Sequence, residues 1–249
     1  MQKVALIVGA GPGIGSCVAK KFARQGYQVC VARRNQDQLE SLVKETEDNG
    51  GKCKAFGCDM RKEEEVRKLV EHVEKNIGPI GCGVHNIGAN IGHISAMDTS
   101  TRVYTKVWEM ATLSAFLFGR EVGSRMVQRG HGTIIYTGAT ASLRGSAGHS
   151  AFSSAKMAKR ALAQSLAREF GPLGVHVAHV VVDGAVDNPN TKKFFGEKDP
   201  KLAKMFAEKG EVGGLVDPND VAETYWHLHN QGRTAWTHEV DLRPWVEKW

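Results

Sequence analysis

A glycine-rich loop near the start of the chain has the spacing of an anion-binding turn. Gly9, Gly13 and Gly15 form a GxxxGxG pattern directly after the apolar run Val4–Val8. The loop positions with candidate ligand contacts are Gly9, Gly11, Gly13, Ile14 and Gly15. Glycines let a ligand approach the backbone, and the unpaired N–H groups of a helix N-terminus attract an anion. The loop therefore predicts a pyrophosphate site, against the alternative of a glycine turn without a ligand.

Two adjacent arginines follow the second apolar run, where a chain that binds NAD carries an acid. Arg33 and Arg34 begin 18 residues beyond Gly15. A carboxylate at this place binds the 2′-hydroxyl of the adenine ribose, whereas guanidinium groups bind a 2′-phosphate through forked hydrogen bonds. The pair therefore favours NADP(H), with NAD(H) possible, over a solvated turn without a ligand.

Apolar runs that alternate with amphipathic stretches must position these residues. Buried parallel strands are predicted at Val4–Val8, Val29–Ala32, Lys54–Gly57, Ile80–Val84, Thr133–Tyr136 and Val175–Val182. Helical patterns lie near residues 14–25, 36–48, 61–77, 100–128, 150–170 and 218–230. This alternation predicts an α/β fold with a Rossmann-like, doubly wound parallel sheet and helices on both faces.

No linker divides the chain, so residues 1–249 are predicted to form a single dinucleotide-binding domain. Residues 187–214 interrupt the alternation of strand and helix, and the segment Lys192–Phe195 within them is rich in lysine and phenylalanine. Long insertions after the end of a strand are usually functional. We therefore expect a substrate lid at residues 187–214.

Composition argues against several classes of protein. The 249 residues include 33 basic and 27 acidic side chains, for a formal charge of +6, and no apolar run reaches the length of a membrane span. Basic residues are interspersed with acids, as in Arg61–Arg67, which argues against a nucleic-acid surface.

Five cysteines without a CxxC pair indicate reduced thiols in the cytoplasm. The sequence has neither a clustered metal-ligand motif nor the GxSxG motif of serine hydrolases.

Four further motifs make the chain similar to the short-chain dehydrogenase/reductase family. Asp59 follows the third strand, His85–Gly88 stands at the NNAG motif, Phe152–Lys156 at YxxxK, and Asp183-Gly184 at Pro-Gly. The resemblance covers nearly the whole chain and implies a seven-stranded sheet whose last strand lies near Thr237–Leu242. It also implies a homodimer or homotetramer built on the helices around 100–128 and 150–170. The implied cofactor contacts outside the glycine loop and the arginine pair are Asp59, Asn86, Gly88, Lys156 and Gly184.

Most catalytic positions of the family are replaced in this chain. Carried over one at a time, the family's Asn, Ser and Tyr fall on Thr112, Ala139 and Phe152, and only its Lys is kept, as Lys156. The family's tyrosine protonates the carbonyl oxygen as hydride arrives, and a positioned acid of this kind contributes roughly 10²–10⁴-fold to the rate. Phenylalanine has no proton to give, so the usual donor is missing.

His149 is the candidate replacement for that donor. On a helix, His149, Phe152 and Lys156 would share one stripe, and a histidine donates protons near neutral pH. His149 also lies seven residues before Lys156, where the related enoyl reductases carry their tyrosine. The alternative is a structural or solvent-facing histidine. Tyr136 and Ser142 are weaker candidates, because one is expected in a buried strand and the other caps a loop.

Two functions follow from these observations. The first is an NADP(H)-dependent oxidoreductase with an altered catalytic tetrad, which transfers hydride to or from a small carbonyl, enoyl or imine substrate. The second is an NADP(H)-binding sensor or scaffold without catalysis, favoured by the loss of three of the four catalytic positions. Lys156 and the Lys192–Phe195 segment favour the first.

Overall fold

Seven parallel strands form one sheet in this computed structural model, which describes residues 3–193, 200–208 and 214–247. The strands are β1 Val4–Val8, β2 Gln28–Arg33, β3 Lys52–Gly57, β4 Ile80–His85, β5 Gly132–Thr137, β6 Val175–Val182 and β7 Glu239–Leu242. Their order is β3-β2-β1-β4-β5-β6-β7. The order reverses between β1 and β4, and such a reversal opens a crevice at the carboxyl edge of a parallel sheet.

Helices cover both faces of this sheet. They are α1 Ile14–Arg24, α2 Glu40–Asp48, α3 Glu63–Asn76, α4 Thr101–Trp108, α5 Ser114–Arg129, α6 Ser150–Phe170, α7 Pro189–Thr191, α8 Pro200–Glu208 and α9 Pro218–His229. Short 3-10 turns lie at Gln36–Leu39, Thr140–Ser142 and Gly171–Leu173. The predicted Rossmann-like α/β fold is therefore confirmed.

Two of the three buried hydrophobic clusters cover the sheet, one on each face. Ile7 of β1 belongs to the cluster of Phe22 in α1 and Tyr225 in α9, whereas the adjacent Leu6 belongs to the cluster of Phe118 in α5. Successive strand residues point to opposite faces, so a strand covered on both sides must be apolar at every position. This explains the continuous apolar run at the start of the chain.

The helical stretch predicted near residues 100–128 is confirmed in extent, and the structure divides it into three consecutive elements. A π-helical turn, Glu109–Leu113, separates α4 from α5. A π turn adds one residue to a helical turn and is often found at functional sites. The packing changes at this turn, since Val107 of α4 belongs to the cluster of Phe152 in α6, whereas Phe118 of α5 belongs to a cluster that covers the sheet.

In the later part of the chain, the predicted element is present but is shorter than its predicted range. The predicted seventh strand is confirmed as β7, although it begins at Glu239. Within the predicted lid, the structure describes residues 187–193, 200–208 and 214, so Phe194 and Phe195 lie outside the described residues. The five cysteines are free thiols. Among the described helices, none is both long and apolar enough to cross a membrane.

Candidate active site

The glycine loop is packed so closely that two of its residues cannot carry a side chain. Gly9 has a φ of +79°, and a Cβ there would lie 2.7 Å from the carbonyl oxygen of Asn86. A Cβ on Gly15 would lie 2.7 Å from the Cα of Ala10. The Asn86 side-chain amide donates a hydrogen bond of 3.1 Å to the Gly9 carbonyl, which ties the loop to the end of β4. Because α1 begins at Ile14 without a side-chain cap, its first N–H groups suit an anion.

The other two loop glycines each face a different neighbour. Gly13 has a φ of +99°, and a Cβ there would lie 3.0 Å from the Cβ of Asn188, in the predicted lid. A Cβ on Gly11 would lie 3.9 Å from Cζ of Arg33. The loop is therefore flanked by the start of the lid segment and by a guanidinium group.

A groove of about 580 Å³ extends from the glycine loop past the ends of β2 and β3. The predicted cofactor residues that line it are Gly9, Gly11, Arg33, Arg34, Asp59, Asn86 and Gly88. Partial burial, together with the charge of Arg34, lowers the pKa of Arg33, which nonetheless stays cationic as guanidinium groups do. The structure thus brings the arginine pair and the glycine loop into one groove with room for a nucleotide.

Asp59 is paired with an arginine that the sequence analysis missed. The Arg61 guanidinium donates hydrogen bonds of 2.9 and 2.6 Å to the two carboxylate oxygens of Asp59. These bonds hold the pKa of Asp59 below its usual range. A bound pair, rather than a free carboxylate, therefore lines the groove where the resemblance places adenine. Arg61 was overlooked because it opens a run of alternating charges that is typical of a solvated helix face.

The positions that the resemblance aligns with the catalytic tetrad lie together in an apolar cluster. Phe152 is 9% exposed and packs with Ala155, and Ala139 packs against the same cluster. The Thr112 hydroxyl donates a hydrogen bond of 2.8 Å to the Ala155 carbonyl, so its proton is already used. The Lys156 Nζ lies 5.6 Å from the centre of the Phe152 ring. None of Thr112, Ala139 and Phe152 offers a free proton.

Two buried lysines lie beside this cluster. Lys156 donates a hydrogen bond of 3.1 Å to the Thr137 carbonyl, and Lys159 donates one of 3.0 Å to the Ile87 carbonyl. Burial lowers the pKa of Lys156 to about 8, and burial with the charge of Lys156 lowers the pKa of Lys159. Lys159 was missed, although its place three residues after Lys156 puts it on the same buried face of α6.

His149 lies outside the cluster, which corrects the predicted stripe. It precedes the first residue of α6 and has the non-helical angles φ −123° and ψ 24°. Its ring centre is 5.8 Å from that of His93, and its Nδ1 is 3.1 Å from the Ala147 carbonyl oxygen. The helical spacing to Phe152 and Lys156 fails because the periodicity holds only for residues inside the helix.

The weaker donor candidates have structural partners. The Tyr136 hydroxyl donates a hydrogen bond of 3.2 Å to the Ala115 carbonyl, and burial raises the pKa of this phenol. The Ser142 hydroxyl accepts a hydrogen bond of 3.2 Å from the Ala139 N–H, so Ser142 stabilises its loop. Both residues therefore have the packing and loop roles expected for them.

Asp183 and Gly184 form a tightly packed corner at the end of β6. The Thr140 hydroxyl donates a hydrogen bond of 2.6 Å to the fully buried carboxylate of Asp183, and Arg144 approaches it at 3.4 Å. A Cβ on Gly184 would lie 2.7 Å from Cδ of Pro244. Packing thus requires the glycine, and its predicted contact with a cofactor stays a prediction.

No group of three or more histidine, cysteine, aspartate or glutamate side chains among the described residues is placed to hold a metal ion.

The chain is similar to known proteins in both sequence and structure. A family profile described as short chain dehydrogenase matches residues 3–199. The human 3-oxoacyl-acyl-carrier-protein reductase is 31% identical over 218 residues, which are 87% of this chain and 90% of that protein. A short-chain dehydrogenase structure from Rhodopseudomonas palustris is 39% identical, with a TM-score of 0.81 and coverage of 98% and 99% of the two chains. A variant of actinorhodin polyketide ketoreductase, solved with NADPH, is 25% identical, with a TM-score of 0.88 and coverage of 98% and 96%.

Proposed function

The chain belongs to the short-chain dehydrogenase family, and from that premise we propose that it is an NADP(H)-dependent oxidoreductase with an altered catalytic tetrad. The observation that carries the proposal is the groove that joins the glycine loop to Arg33 and Arg34. Relatives named as reductases support the reaction type. We propose NADP(H) as the cofactor because of the two arginines, and one similar structure was solved with NADPH.

The residues present fit this cofactor. The closed packing around Gly9 and Gly15 fixes a loop whose backbone a pyrophosphate can approach, next to the uncapped start of α1. Arg33 and Arg34 would hold the 2′-phosphate, and the Asp59–Arg61 pair would lie against the adenine end. Lys156 is the cation available to the nicotinamide ribose. When bound, the cofactor supplies hydride at C4 of its nicotinamide.

A small substrate with a conjugated double bond, an imine or an activated carbonyl suits this site best. Phe152 and Ala139 leave an apolar surface where the resemblance places two hydroxyl groups. A plain ketone depends strongly on a positioned acid, whereas these substrates depend on one less. The chain's own contribution is then to orient the substrate and to stabilise charge through the buried Lys156.

A cofactor-binding protein without catalysis is the second candidate. The engaged hydroxyl of Thr112 and the packed ring of Phe152 favour it, because neither can take part in proton transfer. Such a protein would bind NADPH in the same groove and change conformation or partner instead of reacting.

A fluorescence titration with NADPH and then NADH tests the first step. We expect tighter binding of NADPH, followed by its oxidation when an enal or a diketone is added. Absence of NADPH binding would contradict both candidate functions, and binding without oxidation across carbonyl, enoyl and imine compounds would favour the second.

The proton donor can be tested in the same assay. Lys156 is buried beside Phe152, whereas His149 lies next to His93 outside the cluster. If His149 is the donor, His149→Ala loses turnover and keeps NADPH affinity. We expect His149→Ala to keep most of its turnover, since the geometry favours Lys156.

Oligomeric state remains part of the proposal. We propose a homodimer or homotetramer built on the α4–α5 region and α6. Trp108, Phe116 and Met157 are large apolar side chains exposed on these elements, at 40%, 41% and 38%. Light scattering after gel filtration would show a mass at least twice that of the chain, and a monomer would contradict this part.

A further inference from the structure

Lys156 and Lys159 share one acceptor in the interior of the protein. Their Nζ atoms lie 3.1 and 3.5 Å from the same Thr137 carbonyl oxygen, and the two residues are 3% and 0% exposed. In the described part of the chain, the hydrogen-bond partners of both amines are carbonyl oxygens and one ring nitrogen, with no carboxylate among them. Two buried positive charges this close repel each other, so their protonation is coupled.

The hydrogen bonds of a neighbouring serine fix the tautomer of His85. Ser114 donates its single hydroxyl proton to the Met110 carbonyl at 2.5 Å. Its oxygen must therefore accept at the 2.9 Å contact with Nε2 of His85, which carries the ring proton. Burial and the two lysines lower the pKa of His85, so the ring is neutral and its Nδ1 is an acceptor.

Lys159 consequently has more acceptors than Lys156. Its Nζ donates to Nδ1 of His85 at 3.2 Å, to the Ile87 carbonyl at 3.0 Å and to the Thr137 carbonyl at 3.5 Å. Three acceptors match the three N–H bonds of an ammonium group, whereas a neutral amine has only two to donate. Lys156 has one acceptor, Thr137. These contacts oppose the effect of burial on Lys159 and favour the proton there.

We infer that Lys159 is a positioning residue that keeps its own proton and so leaves Lys156 with a weakly held proton to donate to the substrate. The inference rests on the proposed function and assigns Lys156 the place of the missing phenol. It follows from the shared Thr137 carbonyl, the unequal acceptor sets and the position of Lys156 beside Phe152.

Reduction of a carbonyl group requires one proton and one hydride. In carbonyl reduction, an N–H bond of Lys156 breaks and an O–H bond forms on the substrate oxygen, which receives the π electron pair of the carbonyl. The hydride that reduces the carbon comes from the reduced nicotinamide of the proposed function. Lys156 is left as a neutral amine, and a proton from solvent restores it.

Other titratable groups around the pair lie on several elements. They are His85 on β4, His179 on β6, Glu239 on β7, Arg160 on α6, Tyr225 on α9 and Asp183 at the end of β6. Arg160 and His179 bind Glu239, Tyr225 bonds the Thr137 hydroxyl, and Thr140 bonds Asp183. Burial lowers the pKa of His179 to about 4, so it is neutral where the lysines titrate.

The order of titration can be measured in the protein without ligand. We would label lysine Cε with carbon-13 and follow the two buried signals by NMR from pH 6 to pH 11, assigning them with Lys156→Met and Lys159→Met. Lys156 is expected to lose its proton at a lower pH than Lys159, because the three acceptors around Lys159 outweigh the effect of its burial and of the Lys156 charge. A lower midpoint for Lys159 than for Lys156 would overturn the inference.

The variant Lys159→Met supplies the second test. Removing the neighbouring cation should raise the midpoint of Lys156 by about one pH unit or more, and the pH dependence of turnover should shift with it. The control Lys44→Met, at an exposed helix lysine, should leave the Lys156 midpoint where it is. An unchanged midpoint in Lys159→Met would contradict the proposed role. Failure of the wild-type protein to bind NADPH would instead contradict the proposed function, so the two failures are distinguishable.

Discussion

The two halves of the carboxyl edge of the sheet differ in polarity and in the charged groups that they hold. Around β1 to β3, the glycine loop and the arginine pair form a polar groove. Around β4 to β6, the aligned catalytic positions are packed into an apolar cluster with Lys156 and Lys159 buried beside it. The first half presents backbone N–H groups and guanidinium groups that suit an anion, and the second packs Phe152 and Ala139 beside two buried lysines.

This difference separates cofactor binding from proton transfer. Phosphate contacts depend on backbone N–H groups and guanidinium groups, none of which requires the catalytic hydroxyls. Proton transfer depends on a group whose pKa lies near the working pH, and burial brings Lys156 to about 8. Substitutions around β1 to β3 should therefore change NADPH affinity, whereas substitutions around β4 to β6 should change turnover.

The largest effect is expected from Gly15→Ala. The new Cβ would lie 2.7 Å from the Ala10 Cα and the Gly9 carbonyl oxygen, and backbone atoms cannot move aside as a flexible side chain can. NADPH affinity should fall by at least about 100-fold, the equivalent of two lost contacts to the phosphates. Fluorescence titration measures it. Gly145→Ala, where a Cβ meets nothing within 4 Å, is the control that should bind normally. Normal affinity in Gly15→Ala would show that the glycine loop does not bind the phosphates.

Phe152→Tyr should have the next largest effect, in the opposite direction. It returns a phenol to a ring that lies 5.6 Å from the Lys156 Nζ. If a phenol at this position is a better-placed donor than Lys156, NADPH-dependent reduction of a simple ketone should rise by roughly 100-fold, at the lower end of general acid catalysis. Steady-state kinetics with wild-type protein as reference measures the change. No gain would mean that more than the proton donor differs in this half.

The double variant Arg33→Ala with Arg34→Ala tests whether the two arginines distinguish NADPH from NADH. Loss of charge-assisted hydrogen bonds to a 2′-phosphate removes about 1.5–3 kcal/mol, so NADPH affinity should fall about 10–100-fold. NADH has no such phosphate, and its affinity should change by less than about 3-fold. Equal losses of affinity for the two nucleotides would show that the arginines do not bind the 2′-phosphate.

The last prediction concerns stability alone: Lys156→Met should stabilise the fold, although it removes the proposed proton donor. The pKa of Lys156 falls from 10.5 to about 8 on folding, so the charged form opposes folding below pH 8 by up to about 3 kcal/mol. That penalty fades as the pH rises from 8 towards 10.5. Urea unfolding should therefore show a more stable variant at pH 7 and a smaller gain at pH 10. Destabilisation at pH 7 would show that the charge is compensated, and Lys44→Met controls for a general effect of the substitution.

Much of the fold follows from the sequence because burial dictates its pattern. The continuous apolar runs place β1 and β6, and the Pro218 start of α9 follows its Asp217 cap. The π turn at Glu109–Leu113 does not follow, since it depends on how α4 and α5 pack into different clusters.

The site could be predicted only in part. The glycine loop and Arg33 carry local spacing signals, and both lie in the groove. The pairing of Arg61 with Asp59 and the burial of Lys159 depend on contacts with distant elements. His149 shows the limit of periodicity, because the residue before a helix does not continue its stripe.

The most direct measurement is isotope transfer. The protein would be incubated with NADPH that carries deuterium at nicotinamide C4 in either stereochemical position, together with an enal or a diketone, and the products analysed by mass spectrometry. The account predicts deuterium on the reduced carbon from one of the two forms of NADPH. Bound NADPH that transfers deuterium to none of the carbonyl, enoyl and imine compounds would contradict hydride transfer and leave a cofactor-binding protein without catalysis.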